Sequence, residues 1–405
     1  MEETKNVIIN PHDLIYVLTL RYIPTQKSLL PKLVWNNFIP SNQNPSIDFI
    51  QKLIENSIKN SFDKTIEKVS IALSGGVDST LVLTLFNKIF PNVEVEAFSI
   101  KFAKSVDETY DAKRIADDFN IHQTVIYLDN YLAELPKAIS IIKQPFWDLH
   151  WYHVCKNSSL FSKYMMSGDG GDELFGGYTF RYKKFLSLIA NNSPPLDKTK
   201  SYLECHERDH VPDQEKLFTK KTDFSWKIIY DLLIPYFDNS LENIDQVFLA
   251  DFNGKLLYNF LPVNTKLHNY FYLNSISPIL SKKMILYATH IPNNFKYDPK
   301  TNTGKILLRK ILQKYKKEQL VSREKLGFNV NTINLWKSHG SKICKKYLAD
   351  ARVVNDGWIN EKWINKYIDK EELDVKYVNK FLGLLAVEIW YRLFITKEMR
   401  PDKKL

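Results

Sequence analysis

Cysteine is scarce in this chain. Its 405 residues hold three, at positions 155, 205 and 344, without a Cys-x-x-Cys pair. A disulfide framework is thereby excluded, and a reducing cytoplasm is the expected location. Long apolar runs are missing too. Nothing approaches the ~18 consecutive apolar residues of a membrane span, and the opening Met1-Glu2-Glu3-Thr4-Lys5 is polar, unlike a signal peptide. Arginine is rare. Lysine and arginine number 56 against 46 acidic residues, a net charge of +10, yet only nine of the 56 are arginine. Scattered lysine on solvated faces explains that excess better than the arginine clusters of a nucleic-acid surface, so no nucleic-acid partner is expected. Glycine numbers only 13, which makes its clustering informative. What is present, 44% hydrophobic residues, suffices for a sizeable core and two to three domains.

The first glycine cluster is Ser74-Gly75-Gly76-Val77-Asp78-Ser79, after the apolar run Val69–Leu73 and before a helix-like stretch. A buried strand entering a glycine turn and a helix start aims backbone N–H groups and the positive helix end at one spot, which suits a phosphate. Asp78 adds a carboxylate able to hold Mg²⁺. No Gly-Lys-Ser/Thr follows, so this is not a Walker A loop. It looks like the PP-loop of enzymes that split ATP between the α and β phosphates. The second cluster, Ser167-Gly168-Asp169-Gly170-Gly171-Asp172-Glu173-Leu174-Phe175-Gly176-Gly177-Tyr178, again follows a short apolar run, Tyr164–Met166. Such a loop packs poorly and lets a ligand approach closely.

Together these runs, in this order, resemble the synthetase domain of the asparagine synthetase family, whose relatives include β-lactam synthetase. Gly304-Lys305-Ile306-Leu307-Leu308-Arg309 is similar to the family's Lys-x-x-Leu-Arg segment, Lys325-Leu326-Gly327-Phe328 to its Lys-Lys-Gly-Phe, and Asp107-Glu108 to the acidic pair opening the helix after the second strand. Leu14 to Pro24 looks like the connection leaving the glutaminase domain of full-length members. The resemblance implies ATP and Mg²⁺ as cofactors and an AMP-forming carbon–nitrogen ligase that adenylates a carboxylic acid and passes the acyl group to ammonia or an amine. It implies nucleotide contacts from Leu73, Ser74, Gly75, Gly76, Val77, Asp78, Ser79, Ser167 and Gly168, and magnesium ligands in Asp78 and Asp172. Lys305 takes the place of the lysine that neutralises the transition state, and Asp169 that of the general base. Glu173 is expected to position Asp172.

Two features depart from the family pattern. The nucleophilic N-terminal cysteine of glutamine-hydrolysing members has no counterpart, so ammonia release from glutamine is not expected of this chain, and a separate glutaminase subunit is a candidate partner. Lys143-Gln144-Pro145 stands where Asp-Glu-Pro is usual, and Lys266-Leu267-His268-Asn269 where Lys-x-Asp-Arg is usual. The acceptor wall is therefore altered, and the acid stays open, with aspartate, and hence asparagine biosynthesis, its first candidate. A PP-loop enzyme modifying tRNA nucleotides and a non-catalytic ATP-binding protein are the alternatives.

Periodicity predicts a helix from Ser46 to Phe62 with Ile47, Phe49, Ile50, Leu53, Ile54 and Ile58 on its apolar face. Strands at 69–73, 94–101, 123–128 and 164–166 alternate with helices at 78–89, 107–119, 130–142 and 150–162. This implies an α/β fold, a parallel sheet of PP-loop (HUP-like) type sandwiched by helices, with both glycine loops at strand C-terminal ends. Residues 1–45, with five prolines, predict an extended arm or short strands, and 190–221 a mobile polar loop. After Thr222 helices are expected at 226–236, 246–260, 282–290, 303–316, 359–368 and 376–396. The expected division is an arm at 1–45, an ATP-binding domain at 46–221 and a helical part at 222–405. Cys205-His206-Glu207-Arg208-Asp209-His210 matches no zinc spacing and reads as a polar loop. His150 and His153 read as satisfied helix-face histidines, with substrate contact as the alternative.

Overall fold

The computed structural model describes residues 9–63, 65–102, 109–190, 192–321 and 331–405. The family-like segments Asp107-Glu108 and Lys325–Phe328 lie outside them.

Five parallel strands form the central sheet: β1 (Lys68–Ala72), β2 (Glu94–Phe102), β3 (His122–Leu128), β4 (Tyr164–Met166) and β5 (Asn274–Ile276), in the order β3-β2-β1-β4-β5. Helices α1 (Pro11–Leu20), α2 (Ile47–Ser61), α3 (Val77–Ile89), α4 (Thr109–Asp118), α5 (Leu135–Ile142) and α6 (His150–Ser158) accompany the first four strands. Each crossover moves outward from β1 to β2 and β3, and the chain then returns to lay β4 on β1's other side. The C-terminal ends of β1 and β4 therefore flank a topological switch point, where open α/β sheets form their ligand crevice. Ile71 lies opposite Met166 in that pairing, and Ala72 opposite Phe98 in the pairing with β2.

The four expected strands and the helices between them are found within a few residues. Ser46 caps α2 by accepting the Phe49 N–H, and Ile50, Leu53, Ile54 and Ile58 are buried as the periodicity requires. Phe49 is the exception, 44% exposed and set edge-on against Tyr287. Helix α5 starts later than expected, because Pro136 suits only a first turn.

Two expectations fail. The described residues 9–45 contain a helix and no strand. Asn10 caps α1, and Pro11 sits in its first turn, where a missing N–H costs nothing; every residue from Leu14 to Leu20 is then buried. Residues 190–221 contain two helices rather than a loop: after α7 (Gly171–Phe175) and α8 (Thr179–Leu188), Pro195 opens α9 (Pro195–Cys205), and α10 (Gln214–Leu217) follows, with Tyr202, Leu203, Cys205, Val211 and Leu217 buried. A fifth strand, β5, lies within the mostly helical C-terminal half. Its three residues, Asn-Ser-Ile, carry no alternation a reader could recognise, and their pairing with Tyr164–Met166 makes them a strand.

The remainder is helical: α11 (Trp226–Leu233), α12 (Asn243–Asp251), α13 (Leu261–Tyr270), α14 (Lys282–Thr289), α15 (Ile306–Lys314), α16 (Thr332–Leu335), α17 (Ser341–Leu348), α18 (Arg352–Asn355), α19 (Glu361–Tyr367) and α20 (Val375–Phe394). A π-helical stretch, Phe252–Phe260, joins α12 to α13, kinked at Gly254. Before α15, Tyr297–Asp298 and Thr303–Gly304 pair as a short antiparallel ribbon. One continuous apolar core includes residues from α1, the sheet and α20. Among the described residues no helix is long and apolar enough to cross a membrane.

Candidate active site

The two glycine loops leave adjacent strand ends and meet over one cavity of about 460 Å³. Ser74 to Ser79 line one wall, Ser167 to Gly170 with Asp172 another. Leu73, expected among the nucleotide contacts, does not line the cavity. It is fully buried beneath it, and its N–H donates to the Phe98 carbonyl at 3.0 Å. Gly76 caps α3, so the first N–H groups of a 13-residue helix face the cavity beside Asp78.

Glycine is needed where the loops touch. A Cβ at Gly171 would stand 2.2 Å from Asp78 Oδ1, and one at Gly177 would stand 1.8 Å from Asp172 Oδ1 and 2.4 Å from Lys305 Cε. Both positions leave room for carboxylates to reach a common point. That point holds the Lys305 ammonium, which bonds Asp78 Oδ2 and lies 2.8 Å from Asp172 Oδ1. Lys305 caps α15 in the left-handed region, φ 56°, its N–H anchored on the Phe175 carbonyl at 3.0 Å. The lysine of one segment is thus delivered onto the carboxylates of two others. Burial opposes its charge, but Asp172 and Asp78 outweigh burial and hold the ammonium above lysine's ordinary range.

Two carboxylates converging on one cation also suit magnesium, which takes one or two carboxylates and completes its shell with phosphate oxygens and water. Among the described residues no group of three or more His, Cys, Asp or Glu is placed to hold a metal alone. Phosphate oxygens would therefore have to share such an ion.

Asp169 lies in the same cavity wall. Burial raises its pKa to about 6; hydrogen bonds from Ser167 and Asn264 oppose that rise, and the charges of Asp78 and Asp172 add to it. A carboxylate poised there is ionised at neutral pH yet basic enough to take a proton. Glu173, expected to position Asp172, is buried and accepts the Tyr178 hydroxyl at 2.6 Å.

Beyond Asp169 the wall is charged, and sequence reasoning missed most of it. Arg21, at the left-handed C-cap of α1, pairs with Asp148 at 2.5 Å and Asp209 at 3.6 Å and stacks 4.5 Å over the Trp147 ring. Lys255, from the π-helical stretch, meets Asp209 at 2.5 Å. Arg181 meets Asp251 at 3.1 Å and donates to His206 Nε2 at 2.8 Å. The Cys205–His210 segment read as a polar loop thus supplies Asp209 and His206 to a buried network. Burial opposes ionisation of Asp209, but Lys255 and Arg21 overcome it and hold that carboxyl well below the usual range. His150 lines the cavity, while His153 is buried, its pKa pushed down to about 4 by burial. One signal was available. Four of the nine arginines, Arg21, Arg181, Arg208 and Arg309, line this cavity, and a residue used so sparingly is informative where it occurs.

The profile of the asparagine synthase family matches residues 50–392. A curated relative, asparagine synthetase [glutamine-hydrolyzing] 1 of Bacillus subtilis, is 25% identical over 368 residues, covering 82% of this chain and 57% of the relative. A putative asparagine synthetase [glutamine-hydrolyzing] of Mycobacterium bovis is 22% identical over 414 residues, covering 92% and 62%. A putative asparagine synthetase [glutamine-hydrolyzing] 2 of Methanocaldococcus jannaschii is 33% identical over 166 residues, 36% of this chain and 32% of that one. The chain spans about three-fifths of the length of the first two relatives. With the profile covering most of its length and the paired glycine loops meeting as described, the chain belongs to the asparagine synthase family.

Proposed function

We propose that this protein is an ATP-dependent, AMP- and pyrophosphate-forming ligase that joins a carboxylic acid to ammonia or an amine. The observation that carries this reading is the convergence of Lys305 on Asp78 and Asp172, with Asp169 in the same cavity. ATP and magnesium bound there supply an activated α-phosphorus and shielding for the phosphate charges. The backbone of Ser74–Ser79 and the start of α3 bind the pyrophosphate, and Ser167 and Gly168 complete that cradle. A carboxylate oxygen of the acid attacks the α-phosphorus as the bond to the pyrophosphate oxygen breaks. Lys305 stabilises the negative charge building at that bond. The nitrogen then attacks the acyl carbon, the carbon–oxygen bond to AMP breaks, and Asp169 takes the proton released by nitrogen.

The acid itself belongs at the charged end of the cavity, beside Arg21, Lys255 and Asp148. Aspartate suits that wall and is the first acid to try; asparagine biosynthesis in the cytoplasm would follow from it. Glutamine-derived ammonia could come from a separate glutaminase. Exchange of labelled pyrophosphate into ATP, screened across carboxylic acids with magnesium, tests adenylation, and addition of ammonium or small amines tests amide formation. Failure to exchange with every acid tried sinks the reading.

A further inference from the structure

Asp169 is held by groups that none of its neighbours in sequence supplies, apart from Ser167. Asn264 Nδ2, on α13, donates to Asp169 Oδ2 at 3.3 Å. Ser167, whose hydroxyl also bonds Asp169, has its Oγ 2.9 Å from Ser277 Oγ, just past the end of β5. Helix α13 is itself pinned. Lys266 Nζ donates to the Ile142 carbonyl at the end of α5 at 2.6 Å, and His268 Nε2 accepts the Trp151 indole N–H from α6 at 3.0 Å. The segment Lys266–Asn269, which departs from the family pattern, thus fastens the helix that presents Asn264.

From this geometry we infer that Asn264 is the positioning residue of the nitrogen-transfer step, orienting the Asp169 carboxylate, with Ser277 acting behind it through Ser167. This rests on the proposed ligase reading and deepens it. An amide donor from α13 and a hydroxyl donor from the loop itself together restrain the carboxylate, which lies in the cavity wall. The donors matter because everything else works against the charge. Asp78 on α3 and Asp172 on α7 repel it, the protein surrounds it, and Cys155 of α6, buried nearby, is a neutral thiol. A donor to a charged group in such surroundings is typically worth a factor of about ten or more.

Asn264→Leu separates this role from a structural one. Pyrophosphate exchange, which needs no base, is expected within about twofold of wild type, while amide formation at pH 7 falls about tenfold. The acidic limb of the amide-forming pH profile, near pH 6 in the wild type, moves up by about one pH unit, so raising the pH restores part of the rate. Ser277→Ala shifts the limb the same way by less. If the leucine variant does not fold, Asn264→Ala and Ser277→Ala carry the same comparison. An unmoved pH limb with exchange intact overturns the inference, as does equal loss of exchange and amide formation. Failure of the wild type to exchange with any acid would instead overturn the ligase reading beneath it.

Discussion

The two ends of the cavity are built in opposite ways. At the end proposed to hold phosphate, the lining comes largely from two short runs, Ser74–Ser79 and Ser167–Gly170 with Asp172, delivered by strands that lie side by side. At the end proposed for the acceptor, single residues arrive from distant segments: Arg21 from α1's cap, Asp148 before α6, Asp209 after α9, Lys255 from the π-helical stretch and Asn264 from α13. Binding phosphate is a backbone task, and a short loop of glycines performs it locally. Recognising and deprotonating small groups is a side-chain task that needs donors from several directions, and one loop cannot surround a ligand. The first end is therefore conspicuous in sequence and the second is dispersed.

The sharpest way to break this comparison is Asp169→Asn, since Asp169 sits in the phosphate loop but is assigned to the acceptor chemistry. Amide formation is expected to fall about 10²–10⁴-fold while pyrophosphate exchange persists. The same variant should gain stability. A carboxyl whose pKa is raised to about 6 binds its proton more tightly folded than unfolded, so it erodes stability as pH rises from about 4 through 6. Removing that charge is expected to add about 1–3 kcal/mol at pH 7, read from urea midpoints. Unchanged midpoints would show that its charge is fully compensated.

Next comes Lys305→Ala, which should fail already at adenylation, with exchange lowered about 10²–10³-fold, while circular dichroism stays native. Asp78→Ala and Asp172→Ala should lose magnesium-dependent exchange as well. Near-normal turnover in either would remove that carboxylate from the metal assignment.

Arg21→Met probes the dispersed end. It is expected to raise KM for the acid about tenfold or more and to leave KM for ATP unchanged. A rise in KM for ATP instead would mean the two ends are not separate sites. Because it leaves Asp209 and Asp148 short of a partner, some loss of stability should accompany it.

The smallest effect concerns stability alone. His153 and His268 are buried and His210 partly so, and burial pushes each to about pKa 4. The unfolded chain takes up protons there first, so stability is expected to fall as pH drops from about 6.5 towards 4. His153→Phe should blunt that slope without altering exchange kinetics. A slope identical to wild type would show that His153 is not held neutral.

How much of this was legible follows the same division. Residues 69–79 announce themselves because strand, turn and helix succeed one another within a dozen positions, each with its own local signal. β5 could not be read, since three residues become a strand only through Tyr164–Met166 beside them. The prolines near the N-terminus misled for a related reason. Pro11 forbids a helix in mid-run but favours one at its first turn, and the cap Asn10 decided which case applied. Asn264 and Ser277 gave no signal at all, as an asparagine and a serine in polar helix and loop contexts are ordinary.

By itself the sequence determined the parallel α/β core and the two glycine loops at its strand ends, and its resemblance to the family singled out Asp78, Asp169, Asp172 and Lys305. The core and the loops depend on periodicity and on contiguous turn chemistry, both of which act over a few residues. The tertiary structure alone decided that Lys305 lands between Asp78 and Asp172, 227 residues from the former, and that Arg21 joins the acceptor wall. It alone placed Asn264 beside Asp169 and Ser277 behind Ser167. Such contacts close over long loops, and strand order and helix packing, rather than local propensity, fix which distant residues meet.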